Sequence, residues 1–165
     1  MNIPKDYVWS VDVAMSKLAF GFAGVGWQSV EVESLHINGD YSDGRRLGLI
    51  DRQVRIYARQ VESTFPPVAV FVEQPSRRFP KPQLSYAAGV VQAALYETLG
   101  VEVLTITSGE WKKATVGVGN ATKAQVGAWV RRHCPDVFDE DECDAYAMAW
   151  AARGRVTVTP RQEAA

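Results

Sequence analysis

The spacing of hydrophobic residues changes period along the chain, and each change marks an element. Three runs rich in β-branched and aromatic residues come first, YVWSVDV (7–13), LAFGFAGV (18–25) and VEVESLHI (30–37), parted by turn-prone residues; they predict a three-strand meander. The period then lengthens. Across 44–65, Leu47, Ile50, Val54, Tyr57, Ala58 and Val61 recur at helical spacing before Pro66 and Pro67 stop the run, which predicts an amphipathic helix. VAVFVEQP (68–75) is an unalternated apolar run, the pattern of a strand covered on both faces. The segment LSYAAGVVQAALYETLG ends at Gly100, a residue suited to a helix C′ position, and Ala87, Ala88, Val91, Ala94 and Leu95 make the helix over 84–99 apolar on more than one face. VEVLTIT (101–107) predicts another strand. Two short helices follow, each announced by a capping box, Thr107 with Glu110 and Thr122 with Gln125. In the last helix Ala145, Met148, Ala149 and Ala152 recur at spacings of three and four.

The order β-β-β-α-β-α-β-α-α-α predicts an α/β domain with a mixed five-stranded sheet, a meander joined by parallel strands through helical crossovers. The domain is expected over 1–153, with 154–165 a short C-terminal extension.

Composition narrows the class. With 47% hydrophobic and 22% charged residues in 165, the chain can bury a core without staples. Neither a leader-like apolar stretch nor a run long enough to span a bilayer is seen, so the expectation is a cytoplasmic protein without membrane contact. Cys134 and Cys143 lack zinc-ligand spacing and read as reduced thiols. His36 and His133 read as structural or surface residues. The net charge of −1 argues against coating nucleic acid by bulk charge. The basic residues nevertheless cluster, at Arg77, Arg78 and Lys81, at Lys112, Lys113 and Lys123, and at Arg131 and Arg132.

The chemistry lies in the acidic residues. In DEDECDAYAMAWA (139–151), Asp141 and Asp144 are three residues apart and stack two carboxylates on one side of a helical first turn. One reading is complementation of the helix dipole; another is a divalent-metal site, where a cation relieves the repulsion and hard oxygen donors suit Mg²⁺ or Mn²⁺. Asp12 interrupts the apolar first strand and Glu73 closes the apolar fourth. A buried carboxylate without a partner costs several kcal/mol; a solvated strand end is the ordinary alternative for each. If the first and fourth strands are neighbours and the last helix crosses them, the four acids form one pocket. Such a pocket suits two-metal phosphodiester hydrolysis, with ions about 3.5–4 Å apart.

The strings SVDVA, VEQP, AAGVVQAAL (87–95), TITSGEWKKATVGVGNATKAQV (105–126) and DECDAYAMA (141–149) resemble the RuvC family of Holliday-junction resolvases, over about residues 7–153. The resemblance implies the RNase H-like fold and a Mg²⁺-dependent endonuclease holding two ions per site, with Mn²⁺ able to substitute. By it, Asp12, Glu73, Asp141 and Asp144 are the metal-binding catalytic carboxylates. Lys112 and Lys123 are the basic residues beside them, for which a solvated helix face is the alternative; Lys113 adds to the same patch. Arg77, Arg78, Phe79 and Lys81 would contact DNA. The family carries an aromatic three residues after the strand-end Glu; here that position is Ser76, and Phe79 follows three later. Implied partners are branched DNA, four-way junctions with forks and flaps in addition, and a second copy in a C2 homodimer. A phage-encoded member is the implied origin.

Other readings remain at this level: a nuclease for RNA–DNA hybrids or structured RNA on the same fold, or a junction binder without catalysis. A sugar-kinase-like nucleotide binder fits less well, because Ala14 stands where a glycine-rich phosphate turn would begin.

Overall fold

The computed structural model describes residues 6–76, 78 and 80–157. The elements run β1 (Tyr7–Val13), β2 (Lys17–Gly24), β3 (Val30–His36), α1 (Asp43–Val61), β4 (Pro67–Gln74), α2 (Pro82–Leu99), β5 (Glu102–Thr107), α3 (Ser108–Thr115), α4 (Lys123–His133) and α5 (Glu140–Arg153). The sheet order is β3-β2-β1-β4-β5, antiparallel through β3, β2 and β1 and parallel through β1, β4 and β5. This is the expected meander with parallel strands added. Most of the expected extension, residues 158–165, lies outside the described residues.

Strand alternation sorts side chains onto two faces. Trp9, Val11, Val70 and Val72 pack with Ile50, Val54 and Ala58 of α1 and with Ala87, Val91 and Leu95 of α2. Val8, Ala69 and Phe71 face the other way, toward Trp111 of α3, Val126 of α4 and Tyr146, Met148 and Ala149 of α5. Counting two residues at a time, Asp12 and Glu73 belong to the α5 face. The period that builds the core therefore aims both acids at one helix.

α5 sits very close to the sheet. A Cβ at Gly21 would stand 2.5 Å from the Ala145 carbonyl oxygen and 2.9 Å from the Ala149 Cβ. The Ser10 hydroxyl, buried on β1 beside Gly21, donates to the same Ala145 oxygen at 2.7 Å. These contacts fix α5 from the residue immediately after Asp144.

α1 ends with the last of its helically spaced hydrophobics, short of the end of the 44–65 segment. It ends at Val61, and the amides of Thr64 and Phe65 turn back to the Val61 oxygen at 3.0 and 2.9 Å. A residue before proline is pushed out of the helical region, and Phe65 leaves to stack on Phe22, with ring centroids 4.4 Å apart. Both capping boxes form, at Thr107 with Glu110 and at Thr122 with Gln125, and Gly100 closes α2 with φ of 64°.

Candidate active site

β1 and β4 pair in parallel up to Val11 and Val72. Asp12 and Glu73 are the next residues, so the two carboxylates leave neighbouring strands at the same end and, by alternation, on the same face. Asp144, 9% exposed, comes down from the first turns of α5. Asp141 lies one turn earlier, where the Lys17 ammonium reaches its Oδ2 at 3.3 Å and Lys123 its Oδ1 at 3.7 Å.

The four acids share one field. Burial first, then the charges of Glu73, Asp144 and Asp141, pushes the Asp12 carboxyl up to about 8, with Lys123 opposing. Burial likewise lifts Asp144 to about 6, against the charges of Lys123 and Lys112. Glu73 is also raised by burial, partly offset by the hydrogen bond it accepts from Trp111. Lys123 is held above its ordinary value: its partial burial pulls it down, and Glu140, Asp144 and Asp141 outweigh this. Burial and mutual repulsion thus outweigh the lysines, and these carboxyls hold their protons more tightly than they would in water.

Hard carboxylate oxygens with uncompensated charge fit a divalent cation by donor chemistry. Their side chains are spread more widely than a closed cage: among the described residues, no group of three or more His, Cys, Asp or Glu is set to hold a metal ion as it stands. Lys17 and Lys123 both engage Asp141, and Trp111 engages one oxygen of Glu73.

The basic residues divide. Lys112, half-buried with its Nζ 5.2 Å from the Trp111 ring centroid, acts on Glu73 and Asp144 together with Lys123. Lys113 is exposed on α3. Lys81 lines a cleft of about 280 Å³ with Asp12, Glu73, Pro75, Ser76 and Leu84. Arg78 lines a separate cleft with Gln74, Ser76 and Thr107. Arg77 and Phe79 lie outside the described residues. Glu140 pairs with Lys123 at 3.1 Å, Glu142 accepts from the Ser34 hydroxyl at 2.7 Å, and His133 Nδ1 meets the Trp129 carbonyl at 2.9 Å.

Three residues escaped the sequence reading. Trp111 Nε1 donates to Glu73 Oε2 at 3.0 Å from full burial. Lys17 ties the start of β2 to both Asp139 and Asp141. Asp139 caps α5, accepting from the amides of Asp141 and Glu142 at 3.0 and 3.1 Å. Only the last had a sequence signal, an Asp immediately before an acidic first turn.

No protein-family model matches the chain, and no curated protein matches its sequence. Solved structures do match. The chain is similar to Thermus thermophilus RuvC, at 25% identity and a TM-score of 0.68, over 90% of this chain and 95% of that one. Its structural neighbours are RuvC Holliday junction resolvases. T. thermophilus RuvC in complex with Holliday junction substrate matches at 24% identity and a TM-score of 0.69, over 90% and 96% of the two chains. The yeast mitochondrial Holliday junction resolvase Ydc2, at 12% identity and a TM-score of 0.58 over 92% and 83%, shares the fold. The mixed sheet with β1, β4 and β5 parallel is thus the RuvC, RNase H-like architecture. No helix among the described residues is long and apolar enough to cross a membrane.

Proposed function

We propose that the protein is a structure-selective DNA endonuclease that cleaves four-way junctions and other branched DNA such as forks and flaps. The observation that carries this reading is the convergence of Asp12, Glu73 and Asp144, with Asp141 at the rim, on the face where the RuvC-like fold places α5 over β1 and β4. The similarity to RuvC bound to junction substrate supports the DNA class.

Asp12, Glu73, Asp141 and Asp144 would hold two Mg²⁺ ions, with Mn²⁺ able to substitute. When bound, such ions activate water for attack on phosphorus and stabilise the departing 3′ oxygen. The chain's own residues do the rest. Trp111 keeps one Glu73 oxygen engaged and the other free to turn toward the cleft. Lys112 and Lys123 place positive charge beside the carboxylates, where they hold the scissile phosphate and oppose the charge that develops on it. Lys81, with Arg78 and Lys113 further out, takes flanking phosphates, which position the strand without reading its sequence. The products carry 5′-phosphate and 3′-hydroxyl ends. Two cuts related by the dyad of a junction call for a C2 homodimer, and α2 leaves Tyr86 and Tyr96 each 60% exposed for such a contact.

Nicking of end-labelled DNA in Mg²⁺ tests the reading on a four-way junction, a fork, a 5′ flap, linear duplex and an RNA–DNA hybrid. Paired cuts at the junction that vanish in Glu73→Gln are expected. A junction that is bound and left intact by the wild type overturns the catalytic assignment; preferential cutting of the hybrid overturns the substrate.

A further inference from the structure

A second cleft adjoins the carboxylate site on the far side of Lys123. It measures about 220 Å³ and lies between α4 and the start of α5, lined by Lys123, Gly127, Arg131, Phe138, Glu140 and Cys143. Phe138 exposes 71% of its surface, more than any other large hydrophobic among the described residues. Packing within this chain therefore leaves most of the ring uncovered, although an aromatic ring has 150–250 Å² to bury.

The charges of this cleft are unevenly matched. Its acid, Glu140, is engaged by Lys123 at 3.1 Å. Arg131 has no carboxylate partner among the described residues, and its guanidinium lies back over Gly127, where a Cβ would stand 3.0 Å from Nη1. A glycine at that place leaves room for the folded guanidinium beside the ring. An unpaired planar cation next to an uncovered aromatic ring matches a nucleotide, phosphate on one and base on the other.

Lys123 belongs to both sites, since it also stands 3.7 Å from Asp141 Oδ1. Arg131 follows eight residues later on α4, about 12 Å along the helix axis, which is about three to four nucleotide steps at roughly 3.4 Å each. We propose that this cleft holds a nucleotide of the cleaved strand within about four steps of the scissile phosphate, its base stacked on Phe138 and its phosphate on Arg131. The inference rests on the nuclease reading above. It also supplies a source of selectivity: a base can reach Phe138 only by leaving its neighbours, which costs a few kcal/mol in intact duplex and least where pairing is already broken. Phe138 thus favours DNA with a branch point near the cut over linear duplex.

The test uses the full chain in EDTA, with 2-aminopurine placed at successive positions on both sides of the cut site of a four-way junction. Wild type is expected to change the fluorescence at one such position. Phe138→Ala removes that change and weakens junction binding on the order of tenfold, with less than about twofold loss on linear duplex. Phe138→Trp retains both effects, and Arg131→Gln weakens binding and flattens its salt dependence. Identical signals and affinities for wild type and Phe138→Ala overturn the inference while leaving the nuclease reading intact. A shift of Phe138→Ala from dimer to monomer in sedimentation also overturns it, because the ring then serves an interface between copies. A wild type that neither binds nor cuts any of the DNAs overturns the nuclease reading itself.

Discussion

The indole N–H of Trp111 donates to one carboxylate oxygen of Glu73 at 3.0 Å, from a ring with no exposed surface. A buried donor on a strand-end acid fixes the orientation of that acid before any substrate arrives. Trp111→Phe keeps the ring and removes the donor. Leaving the carboxylate without this partner costs about 1–3 kcal/mol, so the melting temperature falls by several degrees. The hydrogen bond also lowers the Glu73 pKa. The pH profile of nicking in Trp111→Phe therefore moves to higher pH, a shift that a purely structural role would not produce.

Asp12 sets a pH dependence of stability. Its ordinary value is 3.8 and its folded value about 8; between the two, the folded chain keeps a proton that the unfolded chain has released. Stability is therefore greatest below about pH 4 for this group and falls as pH rises toward about 8. Asp144, with a folded value of about 6, adds to the loss over the lower part of that window. Thermal melts in EDTA should decline across it, and Asp12→Asn should flatten the decline. Added Mg²⁺ should raise the melting temperature most at the alkaline end, where the carboxylates are ionised.

The same charges set function against stability. Asp12→Asn and Asp144→Asn each remove a buried carboxylate surrounded by like charge, so both variants should melt higher than wild type in EDTA at pH 8. On the proposed two-metal reading both should lose at least about a hundredfold in nicking rate, since each would give up a metal ligand and with it several kcal/mol of transition-state stabilisation. Chelation of wild type should abolish nicking, and Mg²⁺ or Mn²⁺ should restore it.

Gly21 is where α5 rests on the sheet. A side chain there meets a backbone oxygen at 2.5 Å and the Ala149 Cβ at 2.9 Å, and neither can yield without moving the helix. Gly21→Val should cost about 1–3 kcal/mol or more by overpacking. Because the displaced helix carries Asp141 and Asp144, nicking should fall further than the melting temperature alone accounts for. Hydrogen exchange at the amides of 140–145 should rise relative to β4.

Lys17 spans from β2 to the first turn of α5, meeting the more exposed Asp139 and Asp141 from a partly buried position. Lys17→Met keeps the stem and removes the charge. The cap formed by Asp139 then loses its strongest electrostatic support, as the lowered Asp139 pKa, owed first to the Lys17 hydrogen bond, indicates. Asp139 should titrate closer to its ordinary value by NMR in this variant. Junction nicking should fall on the order of tenfold at low salt and by less at high salt, where exposed charges are screened.

Strand and helix periods, prolines, capping boxes and the αL glycine are local properties, and from them the chain by itself determined its element order, its mixed sheet and the ends of most elements. Asp12 and Glu73 were legible for a related reason. A carboxylate in or at the end of an apolar strand breaks a local rule, and alternation then dictates which face it takes. Asp141 and Asp144 stood out as repelling neighbours at helical spacing. Tertiary structure decided what no local pattern encodes. Trp111 reads in sequence as an ordinary apolar helix residue, and only the packing of α3 against β4 brings its N–H to Glu73 across 38 positions. Lys17 reads as a turn lysine, and its partners lie more than 120 positions away. α1 stops at Val61, before the two prolines, and Phe65 stacks on Phe22 instead of continuing the helix, a contact between segments that no local pattern encodes. Periodicity reports which face of an element is covered; the identity of the group opposite depends on chain closure between distant segments, and that is settled only by packing.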